Sequence, residues 1–298
     1  MSKKVLIAII THNRSDLLER CIKAALKQSY TDTELLIVNN GSTDNTEKVL
    51  LQYKVHVVNQ ENLGSAGGWH SALKFLLKGK YDFIWAMDDD GHPHEKALEI
   101  LINNYRDSFA CLSSLVVQED ETKLVFPMPI VNNNKQPVLF PLLPKIKEVR
   151  KLKLKSKGNI YPYAHPFNGL LISKKIVNLI GNVEKDYFLS GDEVDYFCRM
   201  QTVGETVTCL DAIHYHPDVS KRPFSEIKFY YYLKNSIILN KKYFNLYPIR
   251  NLKVILAAVV RLFLRNELKD FFIFIFVKNL LLKAVLSGLR NKLGKDLV

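Results

Sequence analysis

The sequence has few cysteines, no long apolar run and none of the common glycine motifs for nucleotides. Its four cysteines are scattered without a CxxC pair, which excludes zinc or redox sites of that spacing and fits a reducing cytosol. The apolar run at residues 5–10 is short enough for a buried strand and too short for a secretory signal. Apolar runs at 254–260 and 271–277 fall short of the roughly 18–20 residues that cross a bilayer. Neither GxGxxG nor a P-loop is present, which argues against a dinucleotide-binding fold and a kinase.

The net charge of +12 is confined to the C-terminal quarter of the 298 residues. Residues 221–298 hold 16 of the 42 Lys and Arg and 4 of the 30 Asp and Glu, so the first 220 residues are neutral. Apolar blocks edged by Lys and Arg are typical of helices that lie on an anionic membrane surface. We therefore expect a membrane-associating region and no nucleic-acid partner. A helical subdomain docked on the core, or an oligomer interface, is the alternative.

The first hundred residues alternate between strand and helix patterns. We predict strands at 5–10, 34–39, 55–59 and 81–87, with helices at 15–26, 44–52, 68–77 and 93–105, the last with Pro93 in its first turn. This rhythm predicts an α/β fold with a mostly parallel sheet flanked by helices. Ligands of such sheets bind beyond the carboxyl ends of the strands, where the polar motifs of this sequence fall.

The pattern becomes mixed after residue 109. Strands are predicted at 111–118 and 170–173 and a helix at 190–200, while 127–144 is a loop with five prolines and 145–157 a basic, disordered or lid-like segment. We place a catalytic domain at residues 1–222 and a basic amphipathic helical region at 223–298.

An acidic triplet, Asp88, Asp89 and Asp90, directly follows a buried-looking strand. Three adjacent carboxylates repel one another unless a cation neutralises them. Carboxylate oxygens favour Mg²⁺ or Mn²⁺, which also hold substrate phosphates. Because side chains alternate along an extended segment, we expect Asp88 and Asp90 to share the metal while Asp89 faces elsewhere. A solvated acidic turn is the alternative.

Other polar motifs are ambiguous by themselves. Residues 62–68 (NLGSAGG) could approach a phosphate at a helix N-terminus, and 39–44 (NNGSTD) could read a base or simply form a turn and cap. Residues 190–195 (SGDEVD) offer a general base, but Ser190 and Glu193 also have the spacing of a capping box. His214 and His216 follow an apolar segment and are candidate ligands. His92 and His94, next to the acidic triplet, are rival ligands but are expected on the surface at the start of a helix.

In this order, the motifs resemble family 2 glycosyltransferases of the GT-A (Rossmann-like) fold, closest to the galactofuranosyltransferase and rhamnosyltransferase branch. The resemblance runs from Val5 to about Pro217 and includes ITHNR at 10–14, IVNNGSTD at 37–44, NLGSAGG at 62–68, WAMDDD at 85–90 and GDEVDYFCR at 191–199. It implies a metal-dependent, inverting transferase that uses Mn²⁺ or Mg²⁺.

The resemblance also implies roles for individual residues. Glu193 would be the catalytic base, flanked by Asp192, and the metal would be bound by Asp88, Asp90 and His216. The acceptor would lie near Phe167, Asn168 and Gly169. The nucleotide would be bound by Thr11, Asn13, Arg14, Asn39, Asn62, Gly67, Asp88 and Asp89.

Three departures from the family pattern matter. Asn39 replaces the usual Asp, which bears on the choice between uracil and thymine. Glu193 replaces the usual Asp, so Asp192 remains a rival base. The QxxRW signature of processive synthases is absent from the sequence, which favours the addition of one or a few sugars.

The resemblance, together with the basic C-terminal region, implies transfer of a sugar from a nucleotide diphosphate sugar to a lipid-linked or surface glycan in polysaccharide biosynthesis, such as O-antigen or capsule. UDP-galactofuranose is the favoured donor, ahead of dTDP-rhamnose and UDP-hexopyranoses. The protein is expected in the cytoplasm, peripheral on the inner face of the membrane. A nucleotidyltransferase would need a Gly-rich basic loop after the first strand, which 11–14 lacks. A non-catalytic sugar-nucleotide-binding membrane scaffold would need only one carboxylate cluster.

Overall fold

The computed structural model describes residues 2–131, 145–220 and 222–297. Its strands are β1 (Val5–Thr11), β2 (Thr33–Asn40), β3 (His56–Gln60), β4 (Phe83–Asp88), β5 (His92–Pro93), β6 (Phe109–Val117), β7 (Lys123–Met128), β8 (Ile146–Glu148), β9 (Ile160–Tyr161), β10 (Asn168–Ser173) and β11 (Glu205–Tyr215). Its helices are α1 (Ser15–Leu26), α2 (Thr46–Leu50), α3 (Gly64–Lys78), α4 (Ala97–Asn104), α5 (Val149–Lys155), α6 (Lys174–Ile180), α7 (Asp192–Gln201), α8 (Glu226–Tyr243), α9 (Tyr247–Arg265), α10 (Leu268–Phe272) and α11 (Leu280–Leu289).

The main sheet has the strand order β3-β2-β1-β4-β10-β6-β11-β5. Neighbouring strands from β3 to β4 are parallel, as are β6 and β11, whereas β10 is antiparallel to both β4 and β6. The short β5 is antiparallel to β11. Six of these eight described strands therefore run in one direction, which confirms the predicted mostly parallel α/β sheet.

Helices cover both faces of the sheet. Alternate residues of β1 point to opposite faces, so that Leu6 packs in the same cluster as Trp69 of α3, and Ile7 in the same cluster as Ile22 of α1. Every residue of β1 is buried, as expected for a parallel strand with helices on either side. This burial explains the continuous apolar run seen at residues 5–10.

The reversed strand β10 shapes the edge of the sheet where the parallel strands end. Asn168, the first residue of β10, pairs with Met87 near the end of β4. The edge therefore gathers the start of β10 together with the carboxyl ends of β1, β2, β4 and β11. A ligand that binds at this edge is the usual arrangement for an open α/β sheet.

The C-terminal helices form a further apolar cluster. Phe229 and Leu233 of α8 pack with Leu262 of α9 and with Leu280 and Ala284 of α11. In the described part of the chain, no single helix has the length and apolar character needed to cross a bilayer. The bent pair Leu268–Val277 and Leu280–Leu289, at 51°, reaches that length and composition only when both halves are counted together.

The predicted start of the helix at Pro93 is wrong. His92 and Pro93 form β5, which pairs with His214 and Tyr215, and the helix begins only at Ala97. A proline donates no backbone hydrogen bond, yet it fits at the edge of a sheet. Pairing with β11 therefore prevails over the local preference of Pro93 for a first helical turn.

Two other predictions along the chain need correction. Helix α3 begins at Gly64, not at residue 68, so most of the glycine segment lies inside its first turns. The basic segment 145–157 is not a disordered lid, because it forms β8 and α5 with Val149 and Leu152 buried. Of the loop predicted at 127–144, residues 132–144 lie outside the described residues.

Candidate active site

The end of β1 contacts the acidic triplet directly. Thr11 is buried, and its Oγ1 donates a 2.7 Å hydrogen bond to Asp89 Oδ2. Arg14 Nη1 lies 2.9 Å from Asp89 Oδ1 and 3.0 Å from Asp90 Oδ2. Asn13 has φ +53°, and its Oδ1 accepts a 2.7 Å hydrogen bond from the Thr43 amide. The structure thus brings the predicted residues of segment 11–14 to the triplet and to the loop after β2.

The amides of Asn39 and Asn62 hold loops at the same edge. Asn39 donates through Nδ2 to Asn59 Oδ1 at 3.0 Å and accepts from the Ser42 amide at 3.1 Å. Asn62 Oδ1 accepts from the Gly64 amide at 2.9 Å. The Asn39 contacts agree with the turn interpretation of segment 39–44. A base-reading role for Asn39 and a nucleotide-binding role for Asn62 remain predictions.

The glycine segment packs closely against the loop before α7. Gly64 has φ +71°, and a Cβ there would lie 1.9 Å from the Phe188 carbonyl oxygen. The Ala66 amide donates a hydrogen bond of 3.2 Å to the same oxygen. A Cβ on Gly67 would lie 2.2 Å from the Leu63 Cβ. Glycine at 64 therefore permits the loop before α7 to approach α3, an explanation that needs no phosphate.

The three carboxylates of the triplet have different surroundings. Asp90 Oδ1 lies 2.9 Å from His216 Nε2, and Asp90 Oδ2 lies 2.9 Å from Arg222 Nη1. Burial alone would raise the pKa of Asp90, but His216 and the two arginines hold it well below its usual range. Burial, then Asp90 and Asp89, raise the pKa of Asp88 well above its usual value. Asp88 is thus the member of the triplet whose negative charge the neighbouring side chains compensate least.

The strand alternation predicted for the triplet ends at Asp88. Strand β4 stops there, and Asp89 and Asp90 occupy the following turn. Arg14 bridges both of them, so Asp89 does not face away from Asp90. The expectation that Asp89 faces elsewhere is therefore only partly correct, because Asp89 is turned towards Thr11 while it stays close to Asp90.

The donor set fits Mn²⁺ or Mg²⁺ by its chemistry. Asp88, Asp90 and His216 supply carboxylate oxygens and an imidazole nitrogen, and no described residue donates a hydrogen bond to the Asp88 side chain. Across residues 2–131, 145–220 and 222–297, no group of three or more such side chains has the geometry of a metal site. Arg14 and Arg222 contact Asp90, so an ion bound there would have to replace some of these contacts.

A cavity of about 460 Å³ joins the triplet to the predicted base. Among the predicted site residues, five line it, namely Asp88, Phe167, Asn168, Asp192 and Glu193. Apart from Asp88 at the end of β4, the predicted nucleotide-binding residues do not line the cavity, namely Thr11, Asn13, Arg14, Asn39, Asn62, Gly67 and Asp89. The structure therefore separates the predicted site into a cavity and an adjacent polar edge, with Asp88 at their junction.

The two carboxylates at the start of α7 differ in exposure. Asp192 is buried and accepts a 3.2 Å hydrogen bond from Ser65 Oγ, whereas Glu193 is half-buried at the cavity wall. Burial and then Glu193 raise the pKa of Asp192 well above its usual value. Glu193 Oε2 accepts a 2.9 Å bond from the Gly191 amide. The predicted capping box of Ser190 and Glu193 is wrong, because the N-cap of α7 is Gly191 and no described side chain caps the helix. Glu193 is the more accessible of the two carboxylates.

The residues predicted to bind the acceptor form an unusual turn in the cavity wall. Phe167 has φ +65° and its ring stacks on Trp69, with centroids 4.4 Å apart and planes at 11°. Gly169 has φ +79°, and a Cβ there would lie 2.7 Å from Ser114 Oγ. The buried Asn168 Oδ1 and His165 Nε2 have no hydrogen-bond partner among the described residues. Sugar hydroxyls would satisfy both atoms.

The histidines fall into distinct environments. His214 is completely buried, and burial followed by the His216 charge lowers its pKa to about 3. His216, by contrast, contacts Asp90. His94 is exposed, whereas His92 is half-buried with its ring 5.2 Å from that of Tyr215, so the surface prediction is right only for His94.

Sequence reasoning gave no individual role to Ser65 or Arg222, and it included Asp195 only as one carboxylate of the segment 190–195 that could supply a general base. Asp195 is buried on α7 and accepts hydrogen bonds from Lys242 Nζ at 2.8 Å and Tyr243 Oη at 2.7 Å. Its neighbour Arg199, four residues later, contributes a 2.9 Å bond from Nε. Only the i, i+4 spacing of Asp195 and Arg199 was visible as a signal, since the other contacts join distant parts of the chain.

The chain matches the family model "Glycosyl transferase family 2" over residues 6–168, more than half of its length. It belongs to glycosyl transferase family 2. Among curated relatives, galactofuranosyltransferase GlfT1 of Mycolicibacterium smegmatis is 28% identical over 221 residues, covering 72% of this chain and 70% of the relative. GlfT1 of Mycobacterium tuberculosis is 27% identical over 227 residues, covering 73% and 71%. Chondroitin synthase of Escherichia coli is 32% identical over 36% of this chain and 16% of the relative.

The fold agrees with a solved glycosyltransferase. The mannosyltransferase PcManGT of Pyrobaculum calidifontis, solved in complex with GDP-Man and Mn²⁺, superposes with a TM-score of 0.59. It is 14% identical, and the match covers 98% of this chain and 88% of the mannosyltransferase. The predicted family 2 membership and GT-A fold are confirmed, and the family 2 protein is a glycosyltransferase enzyme.

Proposed function

We propose that this glycosyltransferase transfers galactofuranose from UDP-galactofuranose, with inversion and with a divalent metal ion, to a lipid-linked glycan. The observation that carries the proposal is the single cavity that contains Asp88, Asp192 and Glu193. A cation ligand beside a general base is what one displacement at an anomeric carbon requires. The galactofuranosyltransferase relatives support the choice of sugar, and the Mn²⁺ complex of PcManGT supports the metal.

In the proposed mechanism, Glu193 accepts the proton of an acceptor hydroxyl. The hydroxyl oxygen forms a bond to the anomeric carbon on the face opposite the diphosphate. The bond from that carbon to the diphosphate oxygen breaks, and the diphosphate leaves with the electron pair. Asp88, Asp90 and His216 would hold Mn²⁺ or Mg²⁺, which neutralises charge on the leaving diphosphate.

The rest of the site positions the reactants. Arg14 and Arg222 carry positive charge to the same edge, and both contact Asp90. Asn168, next to the Trp69–Phe167 stack, would bind acceptor hydroxyls. We assign the nucleotide to the polar edge formed by Thr11, Asn13, Arg14, Asn39, Asn62, Gly67 and Asp89.

We further propose that the protein works at the cytoplasmic face of a membrane. The support is a large exposed apolar surface on the C-terminal helices. Of 24 large apolar side chains exposed in the described residues, 16 lie between residues 246 and 293. Alternation of such side chains with Lys and Arg suits an anionic lipid surface. The division into a catalytic domain at 1–222 and a C-terminal region at 223–298 is part of this proposal.

The test is nucleotide release from a panel of donors with the full-length protein. UDP-galactofuranose, dTDP-rhamnose and UDP-galactopyranose are each incubated with Mn²⁺ or with EDTA. We expect slow release of UDP from UDP-galactofuranose that requires Mn²⁺. Faster nucleotide release from dTDP-rhamnose would mean that rhamnose, not galactofuranose, is the transferred sugar. Equal release of UDP in EDTA and in Mn²⁺ would contradict the metal requirement.

The base is tested in the same assay with an added glycan acceptor. Glu193→Gln should lose about 10²–10⁴-fold in transfer, the typical contribution of general-base catalysis, while donor binding is retained. Glu184→Gln, an exposed carboxylate before α7, is the matched control. Near-normal transfer by Glu193→Gln would move the role to Asp192, to be checked with Asp192→Asn.

A further inference from the structure

Four cationic side chains line the same cavity as the catalytic carboxylates. They are Arg222, Lys228, Arg261 and Arg265, contributed by α8, α9 and the segment before them. Salt bridges between described residues engage Arg222 with Asp90, but none involves Lys228, Arg261 or Arg265. A cavity wall with several unpaired cations is suited to an anionic group of a substrate.

The cations form two electrostatic groups. Arg14 and Arg222 both contact Asp90, and their charges together with burial lower the pKa of Lys228 while Asp90 raises it. Lys228 therefore belongs with the cations near the acidic triplet. Burial and the charge of Arg261 lower the pKa of Arg265, against an opposing effect of Asp218. The second group therefore lies on α9, with a neighbourhood different from that of the triplet.

The second group, Arg261 and Arg265, consists of like charges held close together on α9. Arg261 and Arg265 are four residues apart on α9, a spacing at which side chains of like charge meet and repel. The Arg261 guanidinium lies over the rings of Phe224 and Tyr232, 5.5 and 5.1 Å from their centroids. Lys145 adds to the repulsion, since burial followed by the Arg261 charge lowers its pKa. An anion bound between the arginines would relieve this repulsion.

The surface next to this pair is apolar. On the same helix, Val260, Phe263 and Leu264 are more than half exposed, and Leu268 of α10 follows them. An anion here would thus be bordered by sugar-binding residues inside the cavity and by apolar side chains outside it. A glycan joined through phosphate to a lipid has these three parts in this order.

We propose that Arg261 and Arg265 bind the phosphate or diphosphate group that joins the acceptor glycan to its lipid. This inference rests on the proposed function, because it assigns the donor diphosphate to the cations around Asp90. Arginine suits the task, since its planar guanidinium donates paired hydrogen bonds to phosphate oxygens. The acceptor would then enter with its phosphate at α9 and its sugar towards Glu193.

The test is calorimetric binding of farnesyl diphosphate to the full-length protein saturated with UDP and Mn²⁺. We expect the double variant Arg261→Gln/Arg265→Gln to bind farnesyl diphosphate at least tenfold more weakly than the wild type does. Its affinity for UDP should change less than twofold. Lys269→Gln/Lys283→Gln removes two exposed charges from the same helical region and should leave both affinities within twofold. Because Arg261 also stacks on aromatic rings, Arg265→Gln alone is measured as a variant that keeps this contact.

Three results would overturn the inference. Farnesyl diphosphate binding that is insensitive to the arginines, or matched by farnesol, would mean that the apolar surface alone binds it. Inorganic pyrophosphate that binds as tightly as farnesyl diphosphate would mean a free-anion site without a lipid. A loss of UDP affinity in the arginine variant would place the donor diphosphate at α9. If the wild-type protein does not bind UDP, the proposed function fails, and titration without nucleotide or metal still decides the role of the arginines.

Discussion

Helix α8 and helices α9–α11 both follow the sheet, but they use their surfaces in opposite ways. Helix α8 is largely buried, and its Asn235 Nδ2 donates hydrogen bonds to the carbonyl oxygens of Tyr187, Leu189 and Ser190 just before α7. Helices α9–α11 keep many large apolar side chains in contact with solvent. Both regions follow the sheet in the chain, so they differ in the burial of their apolar side chains and not in their place after the sheet. Helix α8 holds the loop before α7 in place, whereas α9–α11 leave an apolar surface exposed.

The largest expected effect is on the support that α8 gives to α7. Asp195→Asn removes a carboxylate that is 1% exposed and leaves Lys242 and Arg199 without it. The cations Lys242 and Arg199 are 48% and 22% exposed, so each lost charge-assisted hydrogen bond contributes about 1.5–3 kcal/mol. Losing several of them costs about 3–5 kcal/mol, which corresponds to roughly 5–8 °C in melting temperature for a chain of 298 residues. Differential scanning calorimetry of the wild type and of Asp195→Asn measures this difference in melting temperature. Asp270→Asn on α10 is the control, and an equal loss there would erase the contrast between the two regions.

The same variant predicts a pH dependence. Burial alone would raise the pKa of Asp195, but hydrogen bonds from Lys242 and Tyr243 and the charge of Arg199 hold it below its usual value. A lowered pKa in the folded state stabilises the protein above the unfolded pKa, about 3.9, and this stability is lost as pH falls through the folded pKa. The difference in melting temperature between wild type and Asp195→Asn should be constant from pH 6 to 8 and shrink below about pH 4. A difference that persists unchanged at low pH would assign it to packing.

A smaller effect is expected at the exposed apolar surface. Phe276→Gln removes a side chain that is 63% exposed, and burial of such a side chain contributes about 1.5–3 kcal/mol. We expect at least tenfold weaker binding to vesicles of phosphatidylglycerol and phosphatidylcholine, with little change in melting temperature. Leu179→Gln on α6, where leucine is 64% exposed, should bind vesicles like the wild type. Equal losses in both variants, or in neither, would contradict membrane binding through the apolar surface of α9–α11.

The smallest effect is expected at Ser65. Ser65→Ala removes one hydrogen bond to Asp192, and a bond of this kind contributes about 1 kcal/mol. Transfer should fall about fivefold with the melting temperature nearly unchanged. Ser71→Ala, on the same helix but bonded to Gln60, is the control. A large loss of transfer would give Ser65 a direct role with the substrate.

The sequence predicted best those parts of the molecule in which neighbouring residues decide the structure. The apolar period defined β1 and α1, and the acidic triplet after a buried strand indicated where β4 ends. The helix predicted to start at Pro93 was wrong because Pro93 pairs with β11, which lies more than 100 residues later in the chain. Ser65 and Arg222 were missed for the same reason, since each contacts a carboxylate that only folding brings near. The cations of α9 were visible as charge, but their place in the cavity was not.

The buried ammonium of Lys234 makes the stability of α8 depend on residues near the C-terminus. Lys234 is 0% exposed and lies 2.7 Å from Asp296 Oδ1, with a further bond of 2.9 Å to the Gly294 carbonyl oxygen. Proteolysis that removed the residues after Gly288 would leave this ammonium without its counter-charge, next to the Asn235 that supports α7. We therefore expect the clipped protein to be less stable at α8, the helix whose Asn235 holds the loop before α7.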